Sequence, residues 1–168
     1  MKRLTNRKFF LQPAEMFAPK LLGKIICRRW HGDILRYRII ETEAYCMNDT
    51  ACHANRGKTL RNAPMFEIGG TSYVYLCYGI HEMFNIVCNE AGVSEAVLIR
   101  GVEGFSGPGK LTKALKIDRS QNNIDLLTSD ELWLEDDGSE PQYKETTRVG
   151  IDYADVQDRE KLLRFVVK

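Results

Sequence analysis

The stretch Arg38-Ile39-Ile40-Glu41-Thr42-Glu43-Ala44-Tyr45 begins with apolar, β-branched residues and ends with two acidic side chains and a tyrosine. β-Branched residues favour strands, and successive side chains of a strand point to opposite faces of the sheet. We therefore predict a strand in which Glu41, Glu43 and Tyr45 share one face.

Two acids on one face of this strand allow two interpretations. Burial of a carboxylate without a partner costs on the order of several kcal/mol, so the acids would normally lie at an exposed edge or pair with Arg36 or Arg38. Alternatively, one acid lies at the lip of a pocket, where burial raises its pKa and suits it to act as a base. This stretch alone favours the first interpretation, because ion pairs are common in proteins.

The rest of the chain predicts more strands than helices. Runs of apolar or β-branched residues between turn residues predict strands at residues 24–30, 34–43, 71–78, 84–89, 96–102, 132–135, 148–151 and 164–167. Pro13 can open a helix that Pro19 would kink or restart, and the turn at 107–110 opens a second helix that reaches Ile117. Because most strands lie in hairpins, we predict one α+β domain over residues 1–168, with a curved, mostly antiparallel β-sheet core and flanking helices.

Charge is unevenly distributed along a chain whose net charge is only +1. Residues 1–120 contain 18 Lys and Arg and 11 Asp and Glu, whereas residues 121–168 contain 6 and 12. This division is consistent with a surface made for an anion, and solvated surface charge alone produces the same pattern. No apolar run reaches the ~20 residues of a membrane span, and the start lacks the apolar core of a signal peptide. We expect a cytoplasmic protein in a bacterium or a nuclear one in a eukaryote.

The five cysteines fit a reducing compartment. Their number is odd and no Cys-x-x-Cys occurs, which argues against a disulfide framework or a zinc ribbon. Cys46, Cys52 and His53 could in principle bind a metal, but their spacing matches no common site. We therefore expect no metal site.

The residues that could carry chemistry are Glu43, Tyr45, His53, Tyr75, Tyr78, Asn85 and Arg100. Each has a structural alternative, since tyrosines of a sheet usually pack in the core. Asn85 lies within an apolar strand, so its amide must find hydrogen-bond partners or face a cavity. Arg100 follows an apolar run, and its guanidinium must reach solvent or pair with an acid such as Glu43. The chain has no serine or cysteine nucleophile motif and no phosphate-binding Gly-x-x-x-x-Gly-Lys.

Motifs along nearly the whole chain point to one family. They are the stretches 38–45, 51–54, 61–62, 65–66, 73–79, 96–100, 107–111, 148–151 and 163–165, together with Asn85. In order and content they resemble the alkyladenine (3-methyladenine) DNA glycosylase family, and they span about residues 18–167. No single motif is specific, whereas their number and order together are.

The resemblance implies a role for each candidate residue. Glu43 would be the general base that activates water, and Arg100 would help to hold that water. Tyr45, His53 and Tyr75 would form the walls between which an extruded base stacks. The resemblance also places Asn85 at the pocket floor, the main chain of Val149 at the water site, Tyr78 as a wedge in the duplex, and Ile80, His81 and Lys110 at the DNA surface.

The implied activity is base-excision repair by a monofunctional, monomeric enzyme without a cofactor, acting on double-stranded DNA that contains damaged purines. A lysine Schiff base would need a desolvated lysine, and Lys110 at the start of a helix is better suited to a phosphate contact. The chain departs from the family pattern at Cys46-Met47, in the short loop to His53 and at Gly69, which leaves the preferred lesion open.

Two other functions fit parts of the sequence. The same aromatic residues would serve a nucleic-acid binding module without chemistry, for RNA or single strands. A thiol enzyme could use Cys52 and His53, although adjacent residues on a strand point to opposite faces.

Overall fold

The computed structural model describes residues 1–168 as one branched, antiparallel sheet with short helices on it. The strands are β1 (Lys2–Arg3), β2 (Ile25–Trp30), β3 (Asp33–Tyr45), β4 (Ser72–Cys77), β5 (His81–Cys88), β6 (Glu95–Val102), β7 (Phe105–Ser106), β8 (Leu132–Asp136), β9 (Tyr143–Thr146) and β10 (Arg164–Val167). The α-helices are α1 (Ala14–Leu21), α2 (Pro108–Leu115) and α3 (Val156–Arg159), and single 3₁₀ turns lie at Arg7–Phe9, Ala63–Phe66 and Arg119–Gln121. The predicted α+β class and antiparallel sheet are confirmed.

The sheet is organised around β3, its longest strand at 13 residues. The main path runs β1-β8-β2-β3-β6-β5-β4, and β10 pairs with β3 as well as with β9. The first half of β3 pairs with β2, whereas its second half lies between β6 and β10. The acidic end of β3 is therefore enclosed by strands on both sides.

Register shifts between β3 and β6 place Glu41 beside Arg100. Glu41 pairs with Gly101 and Thr42 with Ile99, so Arg100 is an extra residue between the two pairs. Such bulges redirect side chains. A Cβ atom at Gly101 would lie 3.2 Å from Cβ of Glu41, so the glycine leaves room for that acid.

The two faces of the sheet bury different groups. A core of 25 residues, including Phe17, Phe84 and Ile99, lies where α1 packs on β3 and α2 packs on β5 and β6. A smaller cluster around Tyr73 and Met65 lies on the opposite face of β4. Side chains alternate along a strand, which explains why neighbours in sequence belong to different clusters. No helix is both long and apolar enough to cross a membrane.

Several predicted elements are wrong in detail. Pro19 lies inside α1 without interrupting it, because the helix is only 8 residues long and Glu15, whose carbonyl loses its bond, is exposed. Residues 148–151 form no strand, since Gly150 has a φ of 74°, which an extended chain does not adopt. The second helix ends at Leu115 rather than Ile117, after which Lys116 adopts a left-handed conformation. β1, β9 and α3 were not predicted from the sequence.

Candidate active site

A cavity of about 440 Å³ opens on the face of the sheet that carries the tyrosines of β4. Seven of the predicted site residues line it: Tyr45, His53, Tyr75, Tyr78, Asn85, Arg100 and Val149. Lining residues that the site prediction missed include Arg61, Met65, Tyr73 and Tyr153. A cavity of this size is in the range that binds small ligands.

One wall of the cavity is aromatic. The rings of Tyr73 and Tyr75 are 5.2 Å apart and tilted by 34°, because both residues lie on the same face of β4. The His53 ring meets Tyr75 edge-on at 4.5 Å, and its Nδ1 lies 3.3 Å from the Tyr73 hydroxyl. Burial and the charge of Arg61 lower the pKa of His53, which favours a neutral imidazole. The wall thus consists of aromatic rings and can also form hydrogen bonds.

The buried amide of Asn85 both finds a hydrogen-bond partner and faces the cavity. It is 4% exposed, and its Nδ2 donates to the carbonyl of Tyr73 at 3.1 Å across the β4–β5 pair. It also lines the cavity. The hydrogen bond fixes the side chain, so the amide occupies a set place in the cavity wall.

Glu43 lies directly behind the cavity wall. Its side chain is 0% exposed, and it accepts hydrogen bonds from the Val149 amide at 2.8 Å and the Tyr45 hydroxyl at 2.9 Å. Glu43 itself does not line the cavity, whereas Tyr45, Val149 and Arg100 do. Burial raises the pKa of Glu43 despite the opposing effects of Arg100, the Val149 amide, the Tyr45 hydroxyl and Arg148. The structure therefore contradicts an exposed edge position for Glu43, and it places this acid behind the cavity wall rather than at the lip of the pocket.

The pairing with Arg36 or Arg38, which the first interpretation allowed for the two acids, is absent. Arg36 pairs with Glu135 at 3.2 Å. Arg38 pairs with Asp137 at 2.7 Å and with Glu103 at 3.4 Å. These arginines precede the bulge and point to other strands, so they do not reach the acidic end of β3.

The expected pair between Arg100 and Glu43 is present only at longer range. Arg100 Nε lies 3.7 Å from Glu43 Oε1 but 3.1 Å from Glu41 Oε1. The closest acidic partner of Arg100 is therefore Glu41.

A buried ion pair that was not predicted supports the cavity from behind. Arg148 and Asp49 are 0% and 1% exposed and join at 2.7 Å. The guanidinium also donates to the carbonyl of Ala44 and lies 5.0 Å from the centre of the Tyr45 ring. Asp49 begins the turn that leads to His53 and accepts the Ala51 amide. One guanidinium thus connects β3, the loop and the segment before Val149.

The predicted wedge, Tyr78, lies at the tip of the β4–β5 hairpin. Tyr78 and Gly79 have φ angles of 50° and 67°, and Ile80 donates its amide to the carbonyl of Cys77. This is a type I′ turn, in which an aromatic residue is uncommon and strained by about 1 kcal/mol. Tyr78 is 90% exposed, and Ile80 is 67% exposed. The turn therefore presents two large apolar side chains to solvent beside the cavity.

The start of α2 packs against the same hairpin. A Cβ atom at Gly109 would lie 2.7 Å from Nδ1 of His81, so the helix backbone contacts that ring directly. Lys110 follows in the first turn of the helix and is exposed. The start of α2 thus packs on the hairpin that carries Tyr78 and His81. One DNA-binding surface formed by Tyr78, His81 and Lys110 stays a prediction.

The cysteine alternative finds no support in the structure. Cys52 is 4% exposed, its Sγ contacts the carbonyl of Ser94, and burial raises its pKa to about 11. A reactive cysteine needs a lowered pKa and access to solvent. No group of three His, Cys, Asp or Glu side chains is placed to hold a metal ion.

The buried ion pair should be essential for stability. We expect Asp49→Asn to lower the free energy of unfolding by about 3–5 kcal/mol, because it leaves the charge of Arg148 buried without a partner. Asp137→Asn, which breaks the more exposed pair with Arg38, is the matched control and should have a much smaller effect. Urea denaturation measures both variants, and equal effects would contradict the structural role of the buried pair.

Comparison with known proteins identifies the family of the chain. The family model described as methylpurine-DNA glycosylase (MPG) matches residues 8–105 and 104–168. A Borreliella burgdorferi (strain ZS7) protein named "Putative 3-methyladenine DNA glycosylase" is 43% identical, over 97% of this chain and 95% of its own. Proteins of the same name from Psychrobacter cryohalolentis and Natranaerobius thermophilus are 40% and 38% identical, over 94% and 96% of this chain and 89% and 93% of theirs. The chain belongs to the methylpurine-DNA glycosylase family.

Proposed function

We propose that this protein removes alkylated purines, such as 3-methyladenine, from duplex DNA by hydrolysing the N-glycosidic bond and leaving an abasic site. The observation that carries the proposal is a fully buried carboxylate, Glu43, directly behind the wall of an aromatic cavity. The names of the relatives support the same activity.

The damaged base must leave the stack before it can reach the cavity. Base extrusion costs a few kcal/mol, and a side chain that fills the gap offsets part of this cost. Tyr78 suits this task because it is exposed at a hairpin tip beside the cavity. Ile80, His81 and Lys110 contact the flanking DNA, with Lys110 at the start of α2 placed for a phosphate.

The cavity then selects the base by stacking and by exclusion. An alkylated purine is cationic or electron-poor, so it stacks favourably on the electron-rich faces of Tyr45 and Tyr75. Stacking alone discriminates weakly among bases. The fixed amide of Asn85 narrows the cavity and rejects the exocyclic amine of normal guanine.

Hydrolysis of the N-glycosidic bond requires one general base and one water molecule. The C1′–N bond breaks with its electron pair leaving on the purine, and positive charge develops on the sugar as in glycoside hydrolysis. Water adds to C1′ and gives its proton to Glu43, whose raised pKa suits a general base. Arg100, which lines the cavity together with Tyr45 and Val149, orients this water. No lysine takes part, so the strand stays intact.

The first test replaces the proposed general base, Glu43, by a side chain of nearly the same shape. We expect Glu43→Gln to lower single-turnover release of 3-methyladenine from methylated DNA at least about 100-fold, because amides do not accept the proton. Binding to the same DNA, measured by fluorescence anisotropy, should stay close to that of the unmodified protein. Retained turnover would show that Glu43 is not the general base. Binding without release by the unmodified chain would instead support a non-catalytic binding module.

The second test concerns the wedge. Tyr78→Ala should weaken extrusion roughly tenfold, because the gap in the stack is no longer filled. The readout is the fluorescence change of 2-aminopurine placed beside the lesion. Tyr143→Ala, which removes a partly exposed tyrosine from β9, is the control. If Tyr78→Ala and the control give the same signal, Tyr78 is not the wedge.

The third test concerns exclusion by Asn85. Asn85→Ser shortens the side chain, so release of normal guanine from undamaged DNA should increase about tenfold. Release of 3-methyladenine should change much less. Unchanged selectivity between the two bases would contradict the proposed role of the amide.

A further inference from the structure

A second buried acid lies next to the proposed base. Glu41 is 8% exposed, and its Oε1 accepts hydrogen bonds from Arg100 Nε at 3.1 Å and from Arg164 Nε at 2.7 Å. The same Arg100 Nε lies 3.7 Å from Glu43 Oε1. Glu41 therefore competes with Glu43 for one guanidinium.

The backbone of β3 and β6 sets the positions of Glu41 and Arg100. The register shift places Arg100 between the partners of Glu41 and Thr42, and Gly101 leaves room for the Glu41 carboxylate. Nε is the only Arg100 side-chain atom that donates a hydrogen bond within the chain. The two terminal amino groups of Arg100, a residue that lines the cavity, are thus free for a ligand.

We propose that Glu41 is a positioning residue for base excision, which holds Arg100 at the cavity wall and prevents it from closing on Glu43. This inference rests on the proposed function. Without Glu41, the nearest acid for Arg100 is Glu43. An opposite charge stabilises the ionised carboxylate more strongly at shorter distance, so shortening the present 3.7 Å separation of Arg100 Nε and Glu43 Oε1 would make Glu43 a weaker base.

Every charged group around Glu43 enters this balance. Three cations surround it: Arg100 from β6, Arg164 from β10 opposite Glu43, and Arg148 from the segment before Val149. Strand β3 contributes the anion Glu41 and the hydrogen-bonding hydroxyl of Tyr45. Replacing Glu41 by glutamine removes a negative charge and releases Arg100. Both changes lower the pKa of Glu43.

The test is the pH dependence of single-turnover release of 3-methyladenine. For Glu41→Gln we expect the plateau rate to fall about tenfold and the midpoint of the acid limb to move down by about one pH unit. Binding of the methylated DNA should change less than about twofold, because Glu41 does not line the cavity. A merely structural role would lower stability without moving the midpoint.

Three further variants identify the route of the effect. Arg164→Gln should move the midpoint to higher pH, because one cation is lost and Glu41 keeps its full charge for Arg100. In an Arg100→Gln background, Glu41→Gln should no longer lower the plateau rate, since the residue acts through Arg100. Glu145→Gln removes the same charge at an exposed position on β9 and should change neither quantity.

The outcomes separate this inference from the proposed function. If the unmodified protein releases no alkylated purine, the proposed function fails. If it is active and folded Glu41→Gln shows an unchanged plateau and midpoint, only the role of Glu41 fails. If Glu41→Gln does not fold, Arg164→Gln decides, and a midpoint that is unchanged or lower overturns the inference.

Discussion

The proposed active site depends on the burial of one carboxylate, that of Glu43. Burial favours the protonated acid, whereas the Val149 amide, the Tyr45 hydroxyl and two nearby guanidiniums favour the carboxylate, and burial prevails. The folded protein therefore prefers the neutral acid, so this group stabilises the fold at low pH. That contribution is lost as the pH rises through the raised pKa. A carboxylate that costs stability at neutral pH fits a catalytic role better than a structural one.

The surrounding fold compensates for this cost with fixed partners. Strand alternation directs Glu41, Glu43 and Tyr45 to one face, and the bulge at Arg100 brings a cation to that face. The buried pair of Arg148 and Asp49 then fixes the Tyr45 ring and the loop to His53. The donors and walls of the site are thus set by β3, β4, β5 and β6, and by the loop to His53 and the segment around Val149, before any ligand binds. Such preorganisation is what electrostatic catalysis requires.

Features that depend on residues close together in the sequence could be predicted from the sequence, whereas features that depend on contacts between distant segments could not. The shared face of Glu41, Glu43 and Tyr45 depends on neighbouring residues and was predicted correctly. The resemblance of motifs brought together residues from β3 to the segment around Val149, and seven of them line one cavity. No local pattern could have supplied that set.

The missed features depend on contacts between distant segments. The partner of Arg100 was assigned to Glu43 because alternation cannot reveal a register shift between β3 and β6. Arg148 was predicted to lie on a strand. In the structure it lies outside any strand, and its guanidinium donates hydrogen bonds to the carbonyls of Ala44 and Asp158 and to the carboxylate of Asp49. Its position in the family motif beside Val149 was the available signal for a buried role. Tyr73 was recognised as a sheet residue but not as part of the cavity wall.

The central claim is that a buried Glu43 with a raised pKa acts as the base, and the pH profile of the unmodified protein tests it most directly. Single-turnover release of 3-methyladenine should require the ionised carboxylate, so the rate should fall at low pH. The midpoint should lie above 4.5, the ordinary pKa of a glutamate. A rate that stays constant down to that pH, or a midpoint below it, would contradict the account.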